Sequence, residues 1–163
     1  MQELLVNELQ SLMDAENQLT GALSKMQIAA SSQDLKTTFK KHLSETQQHA
    51  KRLEILLEDL EAKTKAVSCK AMIGMIADVE GIIESESSAA LKDAALISAA
   101  QKIEHYEIAG YGTAKAHAKL LELDEMANVL QEILKEEADV NKKLTKIAEG
   151  SIFASGINKQ AAK

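Results

Sequence analysis

Acidic side chains interrupt three apolar helical stripes in this chain of 163 residues. Glu16 stands in a run of leucines spaced three and four residues apart, where the pattern calls for another apolar residue. Glu137 has the same place in the last stripe, and Glu104 and Glu107 lie one turn apart in the third. Buried carboxylates that face one another from several helices are typical ligands of divalent metal ions. The four residues are therefore candidate metal ligands.

The second stripe has a polar middle that contains two histidines. Glu45 and His49 are four residues apart and share one face of the predicted helix, so we expect both to bind metal. His42 lies almost two turns before His49, too far along the axis to share its metal, and we assign it a structural or supporting role. Three further polar residues are expected to orient or hydrogen-bond the ligands: Gln48, Tyr111 and Asn141.

The candidate ligands of each predicted helix pair lie at matched heights. Two residues equidistant from the turn of an antiparallel hairpin lie side by side. The midpoint between Glu16 and Glu45 falls at residues 30–31, within the first predicted turn. The midpoint between Glu107 and Glu137 falls at residue 122, within the second. Both hairpins are thus predicted to place facing carboxylates at one level in their interiors.

The elements that must position these residues are helices. Aromatic residues make up 2% of the chain, and it contains no proline and seven glycines, which is untypical of sheet proteins. Long helices are predicted over residues 2–30, 35–60, 97–121 and 126–147. A short amphipathic helix over 72–83 lies within a long connection over 61–92. The sequence predicts an all-α four-helix bundle of two antiparallel hairpins joined by this crossover, in one domain over 1–150, with a loosely ordered tail over 151–163.

The charge pattern excludes several classes of function. The formal net charge is −6 and Arg52 is the only arginine, whereas nucleic-acid binding requires clustered cations. Cys69 is the only cysteine, so neither an internal disulfide nor a cysteine-rich zinc site is expected. No stretch approaches the roughly 18 apolar residues of a membrane span, and the acidic N-terminus does not resemble a signal peptide. We expect a soluble cytoplasmic protein that binds neither nucleic acid nor membrane.

Burying several carboxylates together requires compensation. An ionised carboxylate without a partner costs several kcal/mol, and the stability of a whole domain is only about 5–15 kcal/mol. One or two divalent cations would neutralise the cluster, and protonation through raised pKa values would do so in part. Any single glutamate of the set could also lie on a solvated flank, since its long side chain can reach water.

Five segments of the chain carry a family resemblance. They are DAENQL (14–19), LKTTFKKHLSET (35–46), CKAMIGMI (69–76), DAALISAAQKIEHYEIAGYGT (93–113) and LKEEADVNKKLTKIA (134–148). In order and spacing they resemble the YciE/YciF family of ferritin-like bacterial stress proteins over nearly the whole chain. The resemblance implies a ferritin-like four-helix bundle with an added short helix, a carboxylate-rich centre and a homodimer linked to stress responses.

The family motifs fall on the candidate ligands. Glu16 matches the glutamate of the family's AExQL motif, and Glu45 matches that of HLxET. The EHYE pair and an acid of the following acidic run are matched by Glu104, Glu107 and Glu137. The resemblance and the cluster together imply a di-metal carboxylate centre that holds two divalent ions, with iron favoured over manganese. Glu107 or Glu16 would bridge the ions, and dioxygen or peroxide would take an open position, so that the protein would oxidise ferrous iron or consume peroxide.

Departures from the family favour an alternative hypothesis. Asn141 stands where members commonly have aspartate, and Gln48 follows Glu45 at the spacing where ferritins have a histidine ligand. The alternative is a non-enzymatic stress or structural protein with a vestigial or single-ion site. A helical interaction module without metal is a third hypothesis. Whether the protein is an enzyme stays open from its sequence.

Overall fold

The computed structural model describes residues 1–64, 67–151 and 154–162, most of which are helical. The five long or medium helices are α1 Gln2–Ala29, α2 Gln33–Asp59, α3 Lys70–Glu84, α4 Ala89–Leu120 and α5 Asp124–Glu149. The predicted all-α bundle with one extra short helix is confirmed. Among the described helices, none combines the length and the apolar character needed to cross a membrane.

The bundle consists of two helical hairpins and a crossover. Helix α1 packs along α2, and α4 packs along α5. The hairpins close into a bundle through contacts of α1 with α4 and of α2 with α5. Helix α3 lies within the crossover and packs against both α1 and α4. Short turns join the helices of each hairpin, so residues on facing helices keep a fixed relative height.

Asp93 of α4 fixes the turn between α1 and α2. Its carboxylate accepts hydrogen bonds of 2.7 Å from the backbone N–H groups of Ser31 and Ser32. Ser32 is also the N-cap of α2, where its hydroxyl accepts from the N–H of Leu35. Asp93 is only 3% exposed. One buried carboxylate therefore ties the second hairpin to the turn that sets the register of the first.

The apolar interior is divided into two clusters by a polar layer. One cluster contains residues from the C-terminal half of α1 and the N-terminal half of α4, such as Leu19 and Leu96. The other contains residues from the opposite halves, such as Leu9 and Ala114. The layer between them holds Glu16 and Glu107, both fully buried. The bundle is therefore held together by apolar packing above and below its charged groups.

A glycine allows α1 and α4 to approach beside this layer. A Cβ atom at Gly110 would lie 2.8 Å from Cδ2 of Leu12 and 3.1 Å from Oε1 of Glu8. Gly110 is three residues after Glu107, so this close approach occurs at the edge of the polar layer. The cost of glycine within a helix, about 1 kcal/mol relative to alanine, is offset here by interhelical packing.

The C-terminal segment contains short secondary-structure elements among its described residues. Two short antiparallel strands, β1 Gly150–Ser151 and β2 Ala154–Ser155, precede helix α6 Ile157–Ala161. Helix α6 packs against α4 and α5, and the side chain of Ile157 is 6% exposed within the apolar interior. Residues 152, 153 and 163 of the tail predicted over 151–163 lie outside the described residues.

We expect Asp93→Ala to lower the free energy of unfolding by about 2 kcal/mol, because two backbone N–H donors of the turn lose a charged acceptor. Urea denaturation followed by circular dichroism measures this change. The control is Asp78→Ala, which removes an exposed aspartate from α3 and should cost less than about 0.5 kcal/mol. Equal stabilities of the two variants would show that Asp93 does not hold the turn.

Candidate metal centre

Four helices contribute ionisable side chains to the polar layer. Helix α2 supplies two imidazoles, α4 supplies two carboxylates, and α1 and α5 supply one carboxylate each. Each of the six residues is at most 1% exposed: Glu16, His42, His49, Glu104, Glu107 and Glu137. Long apolar stripes on the same helices face the interior, so these residues are carried into it by the helical period.

The first set of possible ligands, called the His42 group below, consists of His42, Glu104, Glu107 and Glu137. One ligand atom from each residue lies within 4.8 Å of those of the others. Nε2 of His42 is 3.1 Å from Oε1 of Glu104 and 3.7 Å from Oε2 of Glu137. Three helices thus place an imidazole and three carboxylates around one small volume.

The second set, called the His49 group, consists of Glu16, His49 and Glu137, again within 4.8 Å of one another. Nδ1 of His49 is 2.8 Å from Oε1 of Glu137 and 3.3 Å from Oε1 of Glu16. The hydroxyl of Tyr111 donates a hydrogen bond to the same Glu16 oxygen. Tyr111 therefore lies where a residue that orients a ligand was expected.

Glu137 belongs to both groups. Its Oε1 faces His49, and its Oε2 faces His42. Glu107 or Glu16 is the bridging residue expected from the sequence, but Glu107 belongs only to the His42 group and Glu16 only to the His49 group. The reason is the position of Glu137 on α5 opposite α2, between the levels of the two histidines.

Several buried atoms of the layer lack a hydrogen-bond partner among the described residues. They include both oxygens of Glu107, Oε2 of Glu16 and Nδ1 of His42. Buried polar atoms are normally satisfied, and a bound ion is one way to satisfy them. Carboxylate oxygens and imidazole nitrogens without a thiolate suit iron, manganese or zinc. The residues present therefore fit a metal ion in each group.

The charge balance of the layer raises the pKa values of both imidazoles. Burial disfavours the charged form of His42, but the Glu104 carboxylate outweighs it and raises the pKa to about 9. Burial likewise opposes the charge on His49, and hydrogen bonds with Glu137 and Glu16 raise its pKa to about 10. Both rings are consequently in the doubly protonated, positively charged form at neutral pH when no metal is bound.

The pKa values of the buried carboxyl groups shift in opposite directions. Burial raises the pKa of Glu104 to about 8, although the charge on His42 opposes it. Burial and repulsion by Glu16 and Glu137 raise the pKa of Glu107 well above its ordinary value. For Glu137, burial is outweighed by the hydrogen bond with His49 and the charge on His42, and the pKa is lowered. Protons can therefore balance the charges of the metal-free layer.

Three expected site residues lie outside the two groups. Glu45 points to Lys41, whose Nζ is 2.5 Å from its Oε1, because Thr46 takes the inward position between the two histidines. Gln48 is exposed. Oδ1 of Asn141 accepts a hydrogen bond of 3.1 Å from Nε2 of Gln101.

The sequence predicts a structural or supporting role for His42. In the structure His42 and His49 belong to different groups of possible ligands. That His42 could belong to a second group of ligands, two helical turns from His49 along α2, was not predicted from the sequence. The signal was present in the sequence, because residues seven apart on a helix share one face.

Comparison with known proteins identifies the family. A family model described as a domain of unknown function (DUF892) matches residues 1–162. The chain belongs to this family. Protein YciF of Escherichia coli strain K12 is 38% identical over 160 residues, which are 98% of this chain and 96% of the relative. The resemblance to the YciE/YciF proteins is thereby confirmed.

Two solved structures share the fold of this DUF892 member. The crystal structure of the E. coli stress protein YciF matches with a TM-score of 0.85 at 40% identity, and it covers 88% of this chain and 91% of its own. YcfI, a proposed structural protein from Rhodopseudomonas palustris, also matches with a TM-score of 0.85, at 38% identity, over 91% of this chain and 95% of its own. The bundle described above is therefore the fold of the family.

We expect the metal-free protein to lose stability as the pH rises from about 5 to about 9. Between its unfolded pKa, near 4.5, and its folded pKa of about 8, Glu104 holds a proton that the unfolded chain has released. His42 and His49 do the same between 6.5 and about 9 or 10. The folded state binds more protons over this range, so the free energy of unfolding falls with pH.

Thermal unfolding in the presence of a chelator measures this dependence. Glu104→Gln should flatten the decline, while Glu132→Gln, which changes an exposed side chain of α5, should leave the slope intact. A melting temperature that rises over this pH range in the unsubstituted protein would contradict the charge balance described for the layer.

Proposed function

We propose that this protein is a ferritin-like stress protein that binds two divalent metal ions, iron in preference to manganese. One ion would be held by the His42 group and the other by the His49 group. The observation that carries the proposal is the position of Glu137, whose two oxygens face the two groups. A carboxylate shared in this way is the usual means of holding a pair of metal ions within a helical bundle.

The proposed activity is ferrous oxidation or peroxide consumption. Iron held by carboxylates and imidazoles supplies electron-transfer and oxygen chemistry that amino acid side chains lack. The chain contributes the surroundings: Tyr111 donates to Glu16 and limits its rotation, and the two apolar clusters exclude water from both sides of the layer. The description of YciF as a stress protein supports the physiological part of the proposal.

A cleft beside the layer supports access by small reactants. It lies between α2 and α5 and has a volume of about 340 Å³. Its walls include Thr38, Glu45 and Glu136, and Glu136 contacts His49 directly. A hydrated cation or a peroxide molecule is small enough to enter such a cleft.

We expect anaerobic titration with ferrous iron to load one ion in each group of the unsubstituted protein. Glu137→Gln should weaken the binding of both ions, since both groups lose a charged oxygen. Glu107→Gln should weaken only the ion of the His42 group, and Glu16→Gln only that of the His49 group. Each loss should be about 10-fold or more in affinity.

Calorimetry and elemental analysis measure affinity and stoichiometry in this series, with Mn²⁺ titrated in parallel. Glutamine preserves side-chain volume, and the melting temperature of each variant establishes that it is folded. Glu132→Gln is the matched control because it removes an exposed charge from α5. Iron content near zero in the unsubstituted protein would refute the proposal.

One observation favours the non-enzymatic alternative. The two imidazolium groups and the protonated carboxyls already balance the charges without metal. In that case the layer would be a vestigial or single-ion site within a structural protein. The description of YcfI as a proposed structural protein agrees with this alternative.

Turnover separates the two proposals. The iron-loaded protein should oxidise added ferrous iron or consume hydrogen peroxide, and Glu137→Gln should lose most of this activity because it affects both groups. Dioxygen uptake and peroxide disappearance are the measurements, with Glu132→Gln as the control. Iron that raises the melting temperature without turnover would indicate a structural ion. A melting temperature that changes with neither iron nor chelator would favour an interaction module without metal.

A further inference from the structure

The imidazole of His49 is contacted by acids on both of its nitrogen atoms. Nδ1 faces inward, 2.8 Å from Oε1 of Glu137. Nε2 faces outward, 2.7 Å from Oε2 of Glu136. Successive residues of a helix are rotated by about 100°, which lets Glu136 and Glu137 approach the same ring from different sides. The neutral ring must place its single proton on one side or the other.

Arg52 holds the outer acid. Its Nη1 is 3.2 Å from Oε2 of Glu136, and its Nη2 is 3.4 Å from Oε1. Arg52 lies three residues after His49 on α2, so the ring and the guanidinium reach the same carboxylate. Arginine stays charged in proteins, and an ionised carboxylate only accepts hydrogen bonds. Glu136 is therefore an acceptor aimed at Nε2.

We propose that Glu136, held by Arg52, is a positioning residue that holds a proton on Nε2 of His49, so that a cation displaces the proton on Nδ1. Nδ1 then presents its lone pair to the cation of the His49 group. This inference rests on the proposed metal binding. A carboxylate on the outer nitrogen of a histidine ligand fixes its tautomer and orientation.

The inner carboxylates make this outer contact necessary. Glu137 and Glu16 lie 2.8 and 3.3 Å from Nδ1 and would accept a proton placed there. A ring that lost its Nε2 proton and kept the one on Nδ1 would have no lone pair facing the group. Glu136 accepts from Nε2 on the opposite side, so the ring keeps that proton when a cation displaces the one on Nδ1.

The His42 group lacks an equivalent contact among the described residues. Nε2 of His42 faces Glu104, while its Nδ1 is buried without a hydrogen-bond partner. Removal of Glu136 should therefore affect one ion and spare the other. This selectivity distinguishes positioning of His49 from a general loss of charge or of stability.

Zinc titration followed by calorimetry tests the inference with a redox-inactive ion. Glu136→Leu should weaken the ion of the His49 group by about 10–100-fold and leave the other ion within about twofold. Glu136→Gln, whose carbonyl oxygen still accepts from Nε2, should recover part of the loss. Asp139→Asn is the control, because it removes an acid of α5 that pairs with Lys142 outside the layer.

Histidine ¹⁵N spectra of the zinc-free protein provide a second measurement. A slowly exchanging Nε2–H signal of His49 should be present in the unsubstituted protein and in Asp139→Asn, and should be lost in Glu136→Leu. Melting temperatures establish that each variant is folded. Unchanged zinc affinities together with an unchanged His49 signal in Glu136→Leu would overturn the inference while leaving metal binding intact.

Failure of the unsubstituted protein to bind zinc or iron would instead refute the proposed function. The spectra of the metal-free protein would still show whether Glu136 holds the proton on Nε2. Retention of the Nε2–H signal only when Glu136 is present would uphold the positioning of the ring, and its persistence in Glu136→Leu would reject it.

Discussion

The burial of six ionisable side chains between four helices is the constraint on which this bundle depends. Each is at most 1% exposed, so water cannot screen the repulsion among the carboxylates. The charges must be balanced within the layer by protons, by cations or by both. Apolar packing on either side supplies the free energy that keeps the helices closed around them. A structural requirement and a potential for metal chemistry thus arise from the same residues.

Protons and metal ions compete for the same atoms of the layer. Nδ1 of His49 carries a proton in the metal-free state, and a metal ion would need the lone pair of that atom. Metal binding must therefore release protons, and its apparent affinity must rise with pH. A folded metal-free bundle is consistent with a metal centre, because His–Glu pairs can hold the ligands in place until an ion replaces the protons.

Local periodicity explains what the sequence could predict. The helices, the hairpins and the inward position of Glu16, Glu104, Glu107 and Glu137 follow from spacings of three and four residues and from the symmetry of a hairpin about its turn. The spacing of apolar residues does not decide which of two neighbouring residues faces inward. Glu45 was expected to face the interior, but its neighbour Thr46 does so instead. A rotation of a few tens of degrees decides between the two, and a count of apolar spacings does not fix it.

The features that the sequence did not predict depend on contacts between distant segments of the chain. Asp93 and the turn at Ser31 are 62 residues apart, and Glu136 and His49 are 87 apart. Neither Asp93 nor Glu136 interrupts an apolar stripe, so neither leaves a periodic signal. Glu136 lies beside the cleft on the seam between α2 and α5, partly exposed, while its neighbour Glu137 is fully buried. Because both acids touch one imidazole, the proton of that ring depends on a surface residue. The surface of this seam therefore acts on the chemistry of the interior.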